Sequence, residues 1–260
     1  MIGLVLGAGG GAGGQWIRGV LDGLEATTGF RPEHASALVG TSIGAIRAAG
    51  IGPPTTPEHP TVSALLEVAA PPPDPGAASR ALAAARLFGG RAAAILSRAG
   101  APDPLTWVES IHPQTPANVV SVRRLPPVRR VAALSAAPDP TSEIAASAAI
   151  PFGAQPVELD GAKHVDGAVW SVTNADLVSP RNVELLIVIA PLVTTDGGSI
   201  VSALGRHQLL SELRPFAAAK TPVITFAPSG AQYRHRQDRP RHRADGEALA
   251  RRLTAGITPT

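Results

Sequence analysis

The sequence contains no cysteine in its 260 residues, which excludes disulfide bonds, thiolate zinc sites, iron–sulfur ligation and a thiol nucleophile. Aromatic side chains are scarce: five Phe, three Trp and one Tyr are too few to predict a base-stacking platform for single-stranded nucleic acid. No apolar run approaches the ~20 residues that span a membrane. Residues 1–14 also lack the basic stretch that opens a signal peptide. We therefore expect a soluble, cytoplasmic protein.

The charge is small and unevenly distributed along the chain. The formal net charge is +3, yet residues 229–260 carry seven Arg against three acidic side chains. The preceding residues are close to neutral and lack the basic stripe of a nucleic-acid-binding face, so we expect no nucleic acid as a partner. We predict one main domain at 1–228 and a basic C-terminal tail at 229–260. The tail would either contact an anionic membrane surface or remain solvated.

The first fifty residues predict the beginning of an α/β domain. The apolar run Ile2–Leu6 predicts a buried strand, glycines fill a loop at 7–14, and apolar residues then recur at helical spacing until Gly29. A second apolar run at 35–39 leads through Gly40–Gly44 into another helix. Such alternation of strands and helices is typical of a parallel sheet.

The rest of the chain shows a less regular pattern. Residues 52–75 are rich in proline and are expected to be mostly irregular. A hairpin is predicted around Asp160-Gly161, because this dipeptide suits a tight two-residue turn. The remaining predicted strands lie at 128–135, 185–190 and 222–227, and the remaining predicted helices at 77–87, 91–98, 102–112, 142–149, 201–216 and 246–253.

One short motif suggests nucleophilic catalysis. Gly40-Thr-Ser-Ile-Gly44 matches G-x-S-x-G and lies between a predicted strand and a predicted helix. A serine there sits on a sharp turn that exposes its hydroxyl above the sheet edge, and Gly40 and Gly44 let the two backbones approach closely. Ser42 is therefore the candidate nucleophile, although a Gly- and Ser-rich turn with no catalytic role would show the same pattern.

The glycine loop at 7–14 allows two functional interpretations. Gly9, Gly11 and Gly14 fit the G-x-G-x-x-G fingerprint of a dinucleotide site, but the second strand ends without the carboxylate that would hold the ribose. Alternatively, successive backbone N–H groups at the start of the helix form an oxyanion hole. A tight turn that binds no ligand is a third interpretation.

Two kinds of residue are candidates for the base that activates Ser42. The histidines lie mostly in predicted loops or in the tail, and His207 on a late helix is the best candidate among them. The other candidate is Asp166, in His164-Val-Asp-Gly-Ala168 at the end of a predicted strand. An Asp-Gly pair is also common in turns without a catalytic role.

Four segments together resemble the patatin-like phospholipase family. The glycine-rich segment 4–13 resembles the oxyanion motif of that family, and Gly40–Gly44 resembles its nucleophile elbow. Residues 146–152, Ala-Ser-Ala-Ala-Ile-Pro-Phe, resemble its A-S-x-x-x-P segment, and residues 165–176 resemble its D-G-[GA] motif and the stretch of chain after that motif. The segments occur in the order found in the family, within residues 1–190.

The resemblance implies a three-layer α/β/α fold with a largely parallel central sheet. It also implies a serine acyl hydrolase that cleaves carboxylic esters of lipids through an acyl-enzyme intermediate. By the resemblance, Ser42 is the nucleophile and Asp166 the proton acceptor, in a dyad without histidine. Gly9, Gly10 and Gly11 would donate N–H groups to the oxyanion. This scheme requires no metal and no cofactor.

The sequence departs from the family pattern in one place and leaves other functions open. Ala12 stands where the family often has Arg or Lys, so the oxyanion hole would depend on backbone donors. Residues 52–127 are expected to form a mobile cover over the acyl pocket, with Phe88 and Leu96 toward the acyl chain, or else to pack on the body. A nucleotide-binding protein, a catalytically silent relative and an ordinary hydrolase triad with a downstream His stay open as alternatives.

Overall fold

The computed structural model describes residues 1–53, 55–56, 59–96, 103–107 and 116–255. The strands in these ranges are β1 (Ile2–Leu6), β2 (Ala35–Thr41), β3 (Asn118–Arg123), β4 (Val128–Ala133), β5 (Val157–Leu159), β6 (Ala162–Asp166), β7 (Leu185–Ile189) and β8 (Val223–Phe226). The helices are α1 (Gly10–Thr28), α2 (Ile43–Ala49), α3 (His59–Val68), α4 (Ala77–Leu96), α5 (Pro140–Ala148), α6 (Ile200–Glu212), α7 (Arg214–Ala219), α8 (Gly230–Arg234) and α9 (Arg239–Leu253).

The strands form one mixed sheet. Its order is β5-β6-β3-β2-β1-β7-β8, with β4 paired to β3 outside this path. The pairs among β3, β2, β1, β7 and β8 are parallel, whereas β4, β5 and β6 pair with their neighbours in antiparallel fashion. The predicted largely parallel central sheet is therefore confirmed.

Helices cover both faces of the sheet, and the two larger apolar cores lie one on each face. Alternate residues of a strand point to opposite faces, so Leu4 and Leu6 of β1 pack with Trp16 of α1 on one side. Val5 packs on the other side, in the cluster that includes Phe216 of α7. Because both of its faces are buried, β1 is a continuous apolar run rather than an alternating one. This arrangement confirms the three-layer α/β/α fold.

Part of the expected basic tail is a packed helix. A Cβ on Gly19 of α1 would lie 2.0 Å from the carbonyl oxygen of Arg243 in α9, and a Cβ on Gly23 would lie 2.7 Å from the Cβ of Ala250. The two helices therefore cross in backbone contact, which only glycine on α1 permits. Arg243 also forms an ion pair with Asp22. The expectation of a solvated tail is thus wrong for α9.

Several predicted elements differ from those in the structure. α1 begins at Gly10, so the glycine loop is shorter than 7–14. α3 lies in the segment expected to be irregular, because Val62 and Leu65 form an apolar face that packs on the core. The two helices predicted at 77–87 and 91–98 are the single helix α4 as far as residue 96. β3 was not predicted.

Other predictions about local structure hold. β5 and β6 form the expected antiparallel hairpin, and Asp160 and Gly161 both have positive φ, 51° and 71°, as the tight turn requires. Gly29 ends α1 in the left-handed conformation. Of the helix predicted at 102–112, a 3₁₀ turn at Pro104–Trp107 is present, while 102 and 108–112 lie outside the described residues. No helix in the described ranges is both long enough and apolar enough to cross a membrane.

Candidate active site

β2 and β6 meet end to end along one edge of β3. Thr41, the last residue of β2, pairs with Val120, and Asp166, the last residue of β6, pairs with Ser121. Since β2 is parallel and β6 antiparallel to β3, the carboxyl ends of both strands reach neighbouring positions. Ser42, which follows Thr41 directly, is thereby brought next to Asp166.

Ser42 occupies a strained turn between β2 and α2. Its φ and ψ are 57° and −121°, a conformation that costs a non-glycine residue on the order of 1–3 kcal/mol. A Cβ on Gly44 would lie 1.9 Å from the carbonyl oxygen of Leu6, and a Cβ on Gly40 would lie 2.6 Å from the Cα of Ala45. The turn therefore requires glycine two residues before and two residues after the serine, as a nucleophile elbow does.

A second serine holds the backbone of this turn. The Ser42 N–H donates a 3.0 Å hydrogen bond to Oγ of Ser147, which is fully buried on α5. The start of α5 is capped by Asp139, whose side chain accepts from the N–H of Ser142. In the sequence, the segment 146–152 is notable only because it resembles a segment of patatin-like phospholipases. The structure shows that its serine, Ser147, accepts the hydrogen bond that holds the backbone at Ser42.

Asp166 is buried and carries a perturbed carboxyl group. Its side chain accepts a 2.7 Å hydrogen bond from the N–H of Ala168, and the Ser42 side chain is near enough to lower its pKa. Burial raises the pKa of Asp166 to about 7, against the lowering effects of Ala168, Ser42 and the positive charge of Arg86. A carboxyl group with this pKa can accept and return a proton near neutral pH.

Asn174 connects the elbow to the loop that follows Asp166. Its Nδ2 donates to Oγ1 of Thr41 at 3.1 Å and to the carbonyl oxygen of Ser171 at 2.8 Å. Asn174 itself has a positive φ of 54°, which asparagine tolerates better than most residues. The residue before the nucleophile is therefore held by a side chain from a different part of the chain.

The same loop is anchored from α6 by a buried carboxyl group. Glu212 accepts a 2.6 Å hydrogen bond from Oγ1 of Thr173 and a 2.9 Å hydrogen bond from the N–H of Ala175. Burial, together with the charge of Asp176, raises the pKa of Glu212 to about 7. Sequence reasoning missed Glu212, because no local pattern joins α6 to this loop.

The glycine loop brings two of its three predicted residues to Ser42. Gly9 and Gly10 line the same cavity as Ser42, and Gly11 is not among the described residues that line it. Gly10 begins α1 with a positive φ of 57°. The first N–H groups of a helix have no acceptor within the helix and lie at its positive end, so they can stabilise a developing anion.

A cation stands beside the glycine loop, although the loop itself is uncharged. A Cβ on Gly11 would lie 3.1 Å from Nη2 of Arg239, at the start of α9. The sequence has Ala12 where the related motif often has Arg or Lys. Because Arg239 and Gly11 are far apart along the chain, no local motif could have predicted their contact.

Ser42 and Asp166 line a cavity of about 450 Å³. The only other polar side chain among the described residues of its wall is Arg86 on α4. The other described lining residues are glycine or apolar, and they come from the glycine loop, α4, α6, the segments 150–152 and 168–169, and Leu192. The nucleophile and its neighbouring carboxyl group therefore lie in an apolar environment.

Apolar side chains of this wall are also exposed to solvent. Ile150, Phe152 and Val201 line the cavity and are 43%, 65% and 53% exposed. Part of the predicted cover segment borders the cavity, because α4 supplies part of the wall. Its mobility stays a prediction, and the side chains of Phe88 and Leu96 lie outside those described.

No histidine side chain that the structure describes lines this cavity. His207, the best candidate from the sequence, lies on α6 with its Nδ1 3.0 Å from Oγ of Ser79. His164 has its Nδ1 3.0 Å from the carbonyl oxygen of Ala162, and burial lowers its pKa. Asp166 is therefore the carboxyl group that lines the cavity with Ser42 among the described residues.

Neither a comparison with protein-family models nor a comparison with curated proteins found a match for this chain. The dinucleotide interpretation still lacks its carboxylate, because β2 ends at Thr41 and passes directly into the elbow.

Proposed function

We propose that the protein is a serine acyl hydrolase that cleaves carboxylic esters of lipids through a Ser42–Asp166 dyad. The observation that carries the proposal is the meeting of β2 and β6, which brings a serine on a strained elbow to a buried carboxyl group in an apolar cavity. The four segments that resemble patatin-like phospholipases agree with this arrangement.

The proposed reaction proceeds in two halves. Asp166 accepts the hydroxyl proton of Ser42 as Oγ attacks the acyl carbon, and the N–H groups at Gly9 and Gly10 stabilise the oxyanion. The intermediate collapses, the C–O bond to the alcohol breaks, and Asp166 returns its proton to the leaving oxygen. A water molecule activated by Asp166 then attacks the acyl-enzyme, releases the carboxylic acid and regenerates Ser42.

The protonation behaviour of Asp166 supports its proposed role. An ordinary aspartate is too weak a base to accept a proton from a serine hydroxyl at neutral pH. Burial raises the pKa of Asp166 to about 7, so the ionised form is a stronger base and is still well populated above that pH. The Ala168 N–H fixes the direction of the carboxylate.

The walls of the cavity support an acyl substrate. Apart from three polar side chains, the described lining is apolar or glycine, and an acyl chain entering it would leave water. The exposed Phe152 and Val201 extend this apolar surface outward. Contact with an anionic membrane surface and a cytoplasmic location remain proposals from the sequence.

A graded series of p-nitrophenyl esters tests the proposal, together with phospholipid and lysophospholipid micelles. We expect hydrolysis by the wild type and none by Ser42→Ala, with a preference for longer acyl chains that is reduced in Phe152→Ser. Ile200→Ser is the matched control, because Ile200 is 81% exposed and is not among the described lining residues. Absence of hydrolysis of every ester by the wild type would contradict the proposal.

A further inference from the structure

α4 is in direct contact with the turn that follows Asp166. A Cβ on Gly90 would lie 1.7 Å from the carbonyl oxygen of Val169, so the helix backbone rests against the turn. One helical turn earlier, Nη2 of Arg86 donates a 2.7 Å hydrogen bond to the carbonyl oxygen of Ala168. Arg86 therefore reaches the active site from the predicted cover segment, in which the sequence pointed to Phe88 and Leu96 but not to Arg86.

The contact made by Arg86 bears on the proposed base. Ala168 accepts from Arg86 at its carbonyl oxygen and donates its N–H to Oδ1 of Asp166, both at 2.7 Å. One residue thus carries both bonds. Any movement of Ala168 would displace the donor that directs Asp166 toward Ser42.

Arg86 is also the cation of the catalytic cavity. Arg86 and Asp166 both line it, and an ionised carboxylate in such apolar surroundings is unfavourable without a nearby opposite charge. Among the charged side chains that the structure describes, Arg86 is the one whose attraction lowers the pKa of Asp166. The glycine loop, the elbow and α5 bring no charged side chain to the described wall.

The described residues leave one donor of the Arg86 guanidinium without an acceptor. Its Nε is buried, and burial lowers the pKa of Arg86 against the raising effects of the Asp166 and Glu212 carboxyl groups. A buried donor without an acceptor lowers stability. A residue needed only to attach α4 would not require a charge here, because Gly90 already brings the helix against the turn.

We infer that Arg86 is a positioning residue for the hydrolysis proposed above. It holds the Ala168 turn and supplies the positive charge that keeps Asp166 ionised, so that Asp166 can accept the proton of Ser42. The inference rests on the proposed function of the same site. It predicts an effect on the titration of Asp166 that a purely structural contact would not produce.

Arg91 provides a matched control on the same helix. Its guanidinium lies 4.7 Å from the centre of the Trp170 ring, so it also contacts the chain just after Asp166. Arg91 is not among the described residues that line the cavity. Arg86→Met and Arg91→Met each remove one guanidinium from α4, but only the first removes the charge that faces Asp166.

The test is a carboxyl-carbon NMR titration of Asp166, assigned with Asp166→Asn, in the wild type and the variants. We expect Arg86→Met to raise the pKa of Asp166 by roughly one unit, Arg86→Lys to restore most of this change, and Arg91→Met to leave the pKa unchanged. The acid limb of the pH profile of kcat/KM for a soluble ester should shift together with the pKa of Asp166. At pH values below the wild-type midpoint, kcat/KM of Arg86→Met should therefore be roughly tenfold lower than that of the wild type.

An Asp166 titration unchanged in Arg86→Met, or changed equally in Arg91→Met, would overturn the inference. If Arg86→Met fails to fold, Arg86→Gln replaces it, since the amide retains a donor without the charge. If the titration moves as expected but the wild type hydrolyses no ester, the proposed function fails while the positioning of Asp166 by Arg86 stands.

Discussion

The hydrogen bond between Ser147 and the nucleophile elbow predicts a measurable loss when it is removed. In Ser147→Ala, the N–H of Ser42 loses its acceptor in a buried position. An unsatisfied buried donor costs about 1–3 kcal/mol. The strained turn at Ser42 is of similar cost, on the order of 1–3 kcal/mol, and persists only while its surroundings hold it. We therefore expect a loss of about 1–3 kcal/mol in the free energy of unfolding.

Ser121 supplies the control for this prediction. It is as buried as Ser147, but its Oγ has no hydrogen-bond partner within the described residues. Ser121→Ala removes a hydroxyl of the same size without leaving a donor unpaired, so we expect it to be neutral or slightly stabilising.

The assay is urea unfolding of both variants, with steady-state hydrolysis of a soluble ester alongside it. Ser147→Ala should lower kcat more than it changes KM, because the oxygen of Ser42 would be misplaced while the cavity is unaltered. Equal unfolding midpoints for Ser147→Ala and Ser121→Ala would refute the claim that this hydrogen bond supports the elbow.

Two further predictions concern the elbow glycine and the base. Gly44→Ala should abolish hydrolysis and lower the free energy of unfolding by more than about 3 kcal/mol, because its Cβ would lie 1.9 Å from the carbonyl oxygen of Leu6. Gly89→Ala is the control. A Cβ at Gly89 would meet open space, so this variant should not destabilise α4. The pKa of Asp166, about 7 when folded, exceeds its value of about 4 when unfolded. The stability that the Asp166 carboxyl group contributes is therefore lost as the pH rises from about 4 through 7. The loss is on the order of 1.4 kcal/mol for each pH unit in this range. Relative to the wild type, Asp166→Asn should be more stable at pH 8 than at pH 5 by thermal unfolding. If Asp166→Asn and the wild type differed in stability by the same amount at pH 5 and pH 8, the raised pKa of Asp166 would be contradicted.

The sequence was most informative where one local pattern has one structural solution. The continuous apolar runs of β1 and β7, each bounded by other kinds of residue after about five positions, are typical of strands buried on both faces. The Asp160-Gly161 pair requires positive φ at both positions, which limits it to a tight turn. The elbow was predictable for the same reason, since Gly40 and Gly44 leave no room for a side chain.

Contacts between distant parts of the chain were not predictable in this way. Arg86 and Asp166 are 80 positions apart, and the Ala-rich sequence around Arg86 resembles any exposed helix. β3 was missed although it is longer than β1 and β7, because the prolines just before it, up to Pro116, indicate irregular chain. Its position in the sheet nevertheless decides where Ser42 and Asp166 meet.

The packing of α9 also changes how the membrane prediction should be tested. Truncation after Pro228 would expose the face of α1 that α9 covers, so any change in liposome binding could follow from unfolding. Replacing the exposed Arg234 and Arg241 by Gln leaves that interface intact. We expect weaker binding to anionic liposomes at low salt and unchanged ester hydrolysis. Equal liposome binding would contradict a role for these charges.

Covalent trapping with a fluorophosphonate tests the Ser42–Asp166 dyad most directly. Peptide mapping of the labelled wild type should place the adduct on Ser42, and Ser42→Ala should not be labelled. Asp166→Asn should react at least ~10²-fold more slowly, while His207→Ala should react like the wild type. A wild type that is not labelled would contradict the proposed activity. Labelling that survives in Asp166→Asn but is lost in His207→Ala would replace the dyad with a histidine triad.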